Sequence, residues 1–410
     1  MADDLQARTL SAWDRLRVRW ALLREPAGNG RTTGDTDLLL HPDDLGRARA
    51  SALAEGLVQL PGVHRGTHLI GYDESAGRWV WLHCVTELSY GPWRTLRTDA
   101  TDAVLERRLP GGRLQPADEF WETLLHCLLD RGDIPEQHQA RLAGLASRGD
   151  VSSPLADAVE RRLPTPGTLA AVIASARNQE WPRLEDVGGR WRAACRRGGP
   201  SLPSRTIVAL GRLPAQLGSR WRGRGVRAAL LGPDGAGKST LASGLEATVP
   251  LPMAQVYMGL TGGWLRRVDK LRVPGVVRVG RMLVIWGRYL RGVALAAAGK
   301  LVIFDRYIYD AEVPTPYELG PGARLARWID GHICPGPDVT ILLDAPGEVM
   351  FQRKGEYDAE TLEHWRQRFL GVRRRVPDLE VVDTTRPADV VLRDVTARIW
   401  RRYARRWGEP

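Results

Sequence analysis

The sequence of 410 residues has a hydrophobic content of 43% and a net charge of +11, from 59 basic and 48 acidic residues. This length predicts two or three domains, and the hydrophobic content allows a globular core in each of them. The basic residues are scattered along the chain, which favours a solvated surface over nucleic-acid binding.

The cysteines are isolated in the sequence, and none stands at metal-ligand spacing from another. They predict buried free thiols in a reducing compartment. The acidic N-terminal segment lacks the apolar core of a signal peptide, and no uninterrupted apolar run reaches the ~20 residues that span a bilayer. We therefore expect a cytoplasmic protein without a membrane partner. The four cysteines are Cys84, Cys127, Cys195 and Cys334.

The N-terminal region begins with helical spacing, which predicts a helix over residues 1–24. An apolar strand is predicted at 35–40, where Asp35 and Asp37 flank one residue. Alternate residues of a strand share a face, so both carboxylates are available to one divalent metal ion. A helix over 43–57 and strands over 68–72 and 78–85 are predicted to follow.

The Asp35-Thr36-Asp37 strand resembles the D-x-D strand of nucleotidyltransferase-like domains. That family carries a third carboxylate on a later strand, where this sequence has His83 or Cys84. Three interpretations stay open: an active nucleotidyl-transfer site, a degenerate domain that recognises a substrate, or a strand that opens with two solvated aspartates. Residues 100–200 are predicted to be mostly helical, with Trp121, His126 and Cys127 in the core.

A second region begins at Val226, where a short apolar run leads into a glycine-rich segment. Residues 232–239, Gly-Pro-Asp-Gly-Ala-Gly-Lys-Ser, fit the P-loop pattern G-x-x-x-x-G-K-[ST] between a strand and a helix. Glycines allow backbone N–H groups to approach phosphate oxygens, Lys238 is suited to the β- and γ-phosphates, and the Ser239 hydroxyl is suited to Mg²⁺. The segment therefore predicts nucleoside triphosphate binding.

Strands and helices alternate after the P-loop, which predicts a parallel sheet with right-handed crossovers. The predicted strands lie near 226–232, 254–258, 301–305, 338–343 and 379–383. The third ends in Asp305-Arg306-Tyr307, at the edge where open α/β sheets bind ligands. An acid there can hold Mg²⁺, and an arginine can clamp an acceptor phosphate. The alternative is an ordinary ion pair at a strand end.

The P-loop residues 232–240 together with Asp305-Arg306-Tyr307 resemble the thymidylate kinase family of nucleoside monophosphate kinases. Segments 339–346, 353–356 and 381–387 resemble its fourth strand, its basic lid and its last strand, and the resemblance covers less than half of the chain. It implies that Arg306 binds the acceptor phosphate, and that Arg353 and Lys354 neutralise charge in the transition state. A solvated helix end is the alternative for Arg353 and Lys354. The resemblance also implies that Ser239 and Asp305 bind Mg²⁺, and that the following residues contact ATP: Gly232, Asp234, Gly235, Ala236, Gly237, Lys238, Ser239, Thr240 and Lys354.

The acceptor-binding region departs from that family. The segments 257–260, 266–267 and 286–289 replace its aromatic and arginine positions without a residue-by-residue match, and Arg288 is a candidate acceptor contact or a helix-surface arginine. A serine-containing segment usually follows Asp-Arg-Tyr, whereas this chain continues Ile308-Tyr309-Asp310-Ala311, before prolines at 314 and 316. The acceptor pocket is therefore expected to differ.

These observations predict an α/β protein in which a P-loop parallel sheet with flanking helices is preceded by an α+β nucleotidyltransferase-like domain and a helical region. The expected domains are 1–110 (nucleotidyltransferase-like), 111–195 (helical extension), 196–225 (a linker rich in Arg, Gly and Pro) and 226–410 (thymidylate kinase-like). We expect phosphoryl transfer from ATP with Mg²⁺ to a small phosphorylated acceptor, with a nucleoside monophosphate as first choice. A kinase for a non-nucleotide acceptor and a regulatory P-loop ATPase are the alternatives, and family likeness suggests a homodimer.

Overall fold

The computed structural model describes residues 4–24, 35–60, 66–148, 152–164, 168–197, 225–259, 274–312, 328–329, 331–376 and 378–408. The chain divides into two compact units, one of Met1–Asp73 with Val80–Ala215 and one of Glu74–Trp79 with Gln216–Pro410. Nearly all of the predicted linker 196–225 lies outside the described residues. So do the arginines at 266–267 and the prolines at 314 and 316.

The first unit contains a mixed five-stranded sheet. Its elements are α1 (Leu5–Arg15), β1 (Trp20–Arg24), β2 (Thr36–Leu40), α2 (Leu45–Ala54), β3 (Val58–Leu60), β4 (Thr67–Asp73) and β5 (Arg78–Val85). The strands lie in the order β1–β2–β5–β4–β3, with β1 antiparallel to β2 and β2 parallel to β5. The predicted strands at 35–40, 68–72 and 78–85 and the helix near 43–57 are confirmed.

The helix predicted over 1–24 was wrong beyond Arg15. The backbone leaves the helix through Arg17, which has a φ of 54°, and re-enters regular structure as the strand β1. Trp20 and Ala21 are adjacent yet both buried, so this segment has apolar contacts on both faces. A short strand beside β2 satisfies that pattern, because a strand covered on both faces is a continuous apolar run.

In its described residues the rest of the first unit is mainly helical, with two short strands, which confirms the prediction for 100–200. Phe120, Trp121 and Leu124 are fully buried in its core, as is Cys127, whereas His126 is half-buried beside Asp130. The elements are β6 (Ser89–Tyr90), β7 (Leu96–Arg97), α3 (Thr101–Glu106), α4 (Pro116–Leu125), a π-helical turn (His126–Arg131), α5 (Glu136–Ala146), α6 (Pro154–Arg162), α7 (Leu169–Arg177) and α8 (Trp181–Arg197).

The second unit is built on a five-stranded parallel sheet. Its elements are β8 (Arg227–Leu231), α9 (Lys238–Thr248), β9 (Met253–Tyr257), α10 (Pro274–Ala297), β10 (Leu301–Asp305), β11 (Val339–Asp344), α11 (Gly347–Lys354), α12 (Ala359–Gly371), β12 (Leu379–Asp383) and α13 (Ala388–Gly408). The strands lie in the order β12–β11–β8–β10–β9. The central strand, β8, is buried from Ala228 to Leu231 and leads directly into the P-loop segment. The predicted parallel sheet with flanking helices is confirmed.

All four cysteines are buried and free, as predicted. Burial raises the pKa of the thiols of Cys84 and Cys127, so they are poor nucleophiles. In the described parts of the chain, no helix combines the length and the apolar character that crossing a membrane requires.

Candidate functional site

The loop between β8 and α9 has a backbone that only glycine accepts at its turns. Gly235 and Gly237 have φ values of 86° and 97°. A Cβ atom at Gly235 would lie 2.5 Å from the carbonyl oxygen of Met350, closer than any real contact of that kind. The loop therefore wraps tightly against α11 and ends at the N-terminus of α9. A helix N-terminus carries unpaired N–H groups and partial positive charge, which suit an anion.

Lys238 lies buried at the base of this loop. Its Nζ atom donates to the carbonyl oxygens of Gly232 (2.7 Å) and Pro233 (2.8 Å). Burial, reinforced by the nearby charge of Arg306, lowers the pKa of Lys238 to about 8. Nearby carboxylates oppose this shift, so the ammonium would gain from further negative charge.

Three cations converge on the carboxylate of Asp234. Arg306 donates from Nη2 to Asp234 Oδ1 at 2.7 Å, and the Nζ atoms of Lys238 and Lys354 each lie 3.9 Å from the same oxygen. Lys354 also pairs with Glu356 at 2.6 Å. The structure thus brings together the P-loop, the arginine after β10 and the lysine at the end of α11, which are far apart in the sequence.

Asp305 and Arg306 lie where β10 ends. Asp305 is in register with Leu230 and Tyr257 on the two neighbouring strands. Arg306 has a φ of 66°, which is left-handed backbone that a long side chain rarely adopts. Such strain persists where the surrounding structure imposes it, often at functional sites. Ser239 is exposed in the first turn of α9, as is Thr240, so both hydroxyls are accessible.

Asp310 is a site residue that the sequence analysis did not identify as functional. Its Oδ2 lies 3.5 Å from Nη1 of Arg306, and its buried Oδ1 has no hydrogen-bond partner in the structure. Burial raises the pKa of Asp310 to about 6, against the opposing charges of Arg306 and Lys238. The signal in the sequence was the departure at 308–311 from the family's serine-containing segment.

Other arginines contact the same edge of the sheet differently. Arg353 donates to the carbonyl oxygen of Thr384 at 2.7 Å, and no described contact joins it to Asp234. Arg366 makes two hydrogen bonds to Asp344 at the end of β11, at 2.6 and 2.9 Å, and no motif pointed to it. Arg288 donates to the carbonyl oxygen of Gly259 at 2.9 Å and lies over the Tyr257 ring, beside the strand that borders Asp305.

Part of the chain is similar in sequence to known thymidylate kinases. A thymidylate kinase of Xanthomonas oryzae pv. oryzae (strain PXO99A) is 31% identical over 194 residues, which are 43% of this chain and 83% of that protein. The chain belongs to the thymidylate kinase family. A thymidylate kinase of Xanthomonas euvesicatoria pv. vesicatoria (strain 85-10) is 30% identical over 194 residues, again 43% of this chain and 83% of that protein.

A solved structure of thymidylate kinase from Candida albicans is also similar, at 20% identity and a TM-score of 0.37, with 44% of this chain and 94% of that chain covered. No protein-family profile matches the chain. The predicted resemblance to thymidylate kinases is confirmed, and with it the assignment of part of the chain as a kinase. Because the kinases match 43% of the chain, much of it needs a separate explanation.

The first unit has a charged site of its own, outside the P-loop unit. Ligand atoms of Asp35, Asp37 and His83 lie within 4.8 Å of one another. Asp37 is in register with Arg24 on β1 and with His83 on β5. Its Oδ1 lies 2.6 Å from His83 Nδ1, and its Oδ2 accepts from Arg24 at 2.7 Å. Two carboxylates and an imidazole form a donor set that fits a divalent metal ion, although Asp37 already has these two partners.

These partners dominate the electrostatics of Asp37. Burial alone would raise its pKa, but the His83 hydrogen bond and the Arg24 charge outweigh burial and hold the pKa at about 2. Arg24 also donates from Nη1 to Glu122 Oε1 on α4, at 2.6 Å. Burial raises the pKa of Glu122, and the Arg24 charge opposes that shift. Asp37 is thus a permanent anion at neutral pH, next to a shared arginine.

Proposed function

We propose that the P-loop unit is an ATP- and Mg²⁺-dependent kinase that transfers the γ-phosphoryl group to a nucleoside monophosphate. The convergence of Lys238, Arg306 and Lys354 on Asp234 is the observation that carries this proposal. Three cations around one point suit the polyphosphate and acceptor phosphate of such a reaction, which asks for positioning and charge stabilisation. The thymidylate kinase relatives support the nucleotide acceptor.

The proposed roles follow from the position of each side chain. The loop Gly232–Thr240 and Lys238 would hold the ATP phosphates, because the left-handed glycines and the helix N-terminus favour an anion there. The hydroxyl of Ser239 and the carboxylate of Asp305 supply the oxygen ligands that Mg²⁺ prefers. Lys354 would neutralise developing charge, and Arg353 would do so after leaving the Thr384 carbonyl.

The acceptor phosphate would bind Arg306, which already holds a carboxylate at 2.7 Å. Arg288 extends the same edge of the sheet with a guanidinium beside Tyr257, so we place the remainder of the acceptor there. Planar guanidinium groups bind phosphates through two parallel hydrogen bonds, which would fix the acceptor in line with the γ-phosphoryl group.

A kinase for a non-nucleotide acceptor is the second candidate, and Asp310 is the observation that favours it. A buried carboxylate with one unpartnered oxygen lies beside Arg306, where a hydroxyl acceptor would need a general base. A phosphate acceptor needs no such base, because its oxygen is already ionised. The identity of the acceptor therefore separates the two candidates.

The experiment is ADP release by the full chain with ATP and Mg²⁺, with and without a panel of nucleoside monophosphates that includes dTMP. Stimulation by one nucleotide, lost in Lys238→Ala and kept in the matched control Lys300→Ala, supports the proposal. Lys300 precedes β10, at the amino-terminal edge of the sheet. Stimulation by a hydroxyl compound alone supports the second candidate. Slow turnover that no acceptor changes, but that a protein partner stimulates, would indicate a regulatory ATPase instead.

We also propose that the kinase unit forms a homodimer through α10. Its exposed face carries large apolar side chains at helical spacing, which a monomer would leave in water: Val279, Leu283, Trp286 and Leu290. Leu283→Glu should convert a dimer to a monomer in analytical ultracentrifugation, whereas the wild-type chain sedimenting as a monomer would contradict the proposal.

For the first unit we propose a nucleotidyltransferase-like domain over 1–110 and a helical extension over 111–195, joined through 196–225 to a kinase domain over 226–410. Asp35 and Asp37, with His83, would hold a divalent metal ion there. Titration of Mn²⁺ into the full chain, followed by water proton relaxation, tests this site. Binding that Asp35→Asn leaves unchanged would exclude it.

A further inference from the structure

A cavity of about 250 Å³ opens in the first unit between the sheet and α4. Arg24 of β1, Asp37 of β2 and His83 of β5 line one side of it. Tyr90 of β6 and Glu122 of α4 line another. Charged side chains thus contribute to the lining of a small space in this unit, which the proposed kinase reaction does not use.

Two residues that line this cavity each carry a polar atom that lies beneath its surface and has no partner in the structure. Glu122 is 1% exposed, and its Oε1 accepts from Arg24 while its Oε2 accepts nothing. Tyr90 is 3% exposed, and its hydroxyl likewise has no hydrogen-bond partner. Buried polar groups are nearly always hydrogen-bonded, because leaving one unpaired costs its full desolvation free energy. Burial raises the pKa of Tyr90, and the charge of the Glu122 carboxylate adds to that rise, so the two groups also interact electrostatically.

The charged side chains around the cavity determine whether it attracts an anion or a cation. Arg24 is already shared between Asp37 and Glu122. Arg94 lies 3.6 Å from Asp130. The carboxylates in the lining outnumber these two arginines, so an anion would be repelled, whereas a cationic donor would be attracted. The lining carboxylates are Asp37, Glu87, Glu122 and Asp130.

We propose that this cavity binds a small primary amine, and that the Glu122 carboxylate and the Tyr90 hydroxyl turn from their buried positions to accept hydrogen bonds from its ammonium. An ammonium group has three donors and no acceptor, which matches one carboxylate oxygen and one hydroxyl oxygen. The volume lies below the ~300–1,000 Å³ of sites for drug-sized ligands, so the amine is the size of a diamine or a single amino sugar. This inference concerns the chain without a metal ion at Asp35 and Asp37, because Asp37 and His83 also line the cavity and a divalent ion on them would offset its negative charge.

The test is isothermal titration calorimetry and thermal denaturation of the full chain with two amines, D-glucosamine and putrescine. Each has a matched neutral compound, D-glucose and 1,4-butanediol, in which hydroxyl groups replace the amines. We expect at least one amine to bind and to raise the melting temperature, and its neutral counterpart to do neither. Loss of a hydrogen bond to a charged group weakens binding by roughly 10- to 100-fold, which is the change expected for Glu122→Gln.

Two further variants keep the test decisive. Tyr90→Phe removes the hydroxyl alone and should weaken amine binding several-fold, so it gives the answer even if Glu122→Gln does not fold. Glu119→Gln is the matched control, because Glu119 lies on the same helix but pairs with Arg141 and does not line the cavity. It should bind the amine like the wild type.

Three results would overturn the proposal. The first is that neither amine binds the folded wild-type chain. The second is that an amine binds but Tyr90→Phe and a folded Glu122→Gln bind it equally well, which would place the amine elsewhere. The third is that the neutral compounds bind as tightly as the amines, which would remove the role of the charge.

Discussion

In the P-loop cleft three cations reach one carboxylate, Asp234, whereas in the cavity of the first unit two carboxylates share one arginine, Arg24. Both sites are partly buried, and each lies beside the strands of a sheet. The same residue types therefore produce opposite charge balances. The first balance suits polyphosphates and the second suits an organic cation, so the sign of the surplus charge distinguishes the two sites better than their composition does.

The largest expected effect is in the P-loop cleft, where Arg306→Ala removes the proposed acceptor clamp. We expect kcat/KM for the acceptor to fall by about 10²–10³, the loss typical of one preorganised charge-stabilising donor, while KM for ATP changes much less. Steady-state kinetics with the stimulating acceptor measures this. Arg368→Ala, an exposed arginine on α12, is the control and should be as active as wild type. Equal loss in both variants would contradict the comparison.

Gly235→Ala tests whether the backbone of the P-loop, rather than its charge, fixes the cleft. Its φ of 86° and the Met350 carbonyl oxygen 2.5 Å from the new Cβ both oppose alanine. The free energy of unfolding should fall by about 1–3 kcal/mol, and ADP affinity should fall with it. The control Gly371→Ala meets nothing within 4 Å, has a φ of −63° and should be neutral or stabilising. Urea denaturation measures both, and unchanged stability of Gly235→Ala would exclude the steric argument.

Asp310→Asn tests the cost of a carboxylate in the cation-rich cleft. Burial raises its pKa from 3.8 to about 6, so between these values the folded state binds more protons than the unfolded state. Wild-type stability due to this group therefore falls as pH rises through that window. Relative to wild type, Asp310→Asn should gain up to about 3 kcal/mol in the free energy of unfolding between pH 4 and pH 7.5. Urea denaturation at both pH values that gives the same difference would contradict the pKa.

Lys238 gives a smaller effect with the opposite pH dependence. Its pKa is lowered from 10.5 to about 8, so between these values the folded state binds fewer protons and this group makes stability rise with pH. Nucleotide binding favours the ammonium, so ADP affinity should fall by up to about tenfold per pH unit above pH 8. Calorimetric titrations from pH 7 to 9.5 measure this. Lys238→Arg stays charged, and its affinity should be nearly independent of pH; a slope equal to wild type would assign the titration to another group.

The smallest effect is expected in the first unit without added amine. Tyr90→Phe removes a buried hydroxyl that has no partner, so the free energy of unfolding should stay unchanged or rise by about 1 kcal/mol. Thermal and urea denaturation measure this. A large loss of stability would show that the hydroxyl is paired within the folded chain, and the two sites would then differ less than we infer.

The P-loop could be predicted because its chemistry is contiguous. Residues 232–239 carry the turns, the lysine and the hydroxyl within one segment, and the alternation of strands and helices placed Asp305 and Arg306 at the same edge. The five strands of the second unit follow directly from their apolar runs. Sequence alone did not reveal that Asp234 is where Arg306, Lys238 and Lys354 meet, because that contact depends on how α11 packs against the loop.

The cavity of the first unit could not be predicted for the same reason. Arg24 and Glu122 are separated by 98 residues, and each lies in an apolar segment that indicated core packing. Residues 20–24 were assigned to a helix, since an isolated run of apolar residues has no period that separates a helix from a buried strand. His83 was recognised at the position of a missing carboxylate, but its partner Asp37 needed the register of β2 and β5.

Asp234 affects which anions can bind in the P-loop cleft. A carboxylate that is part of the loop itself competes with every dissolved anion at the high effective concentration of a tethered group. Chloride or a single inorganic phosphate can replace only one contact of Asp234 with these cations at a time. A polyphosphate can replace its contacts with Arg306, Lys238 and Lys354 together. We therefore expect the loop to reject small dissolved anions by competition, so that a polyphosphate binds against a background of abundant salts.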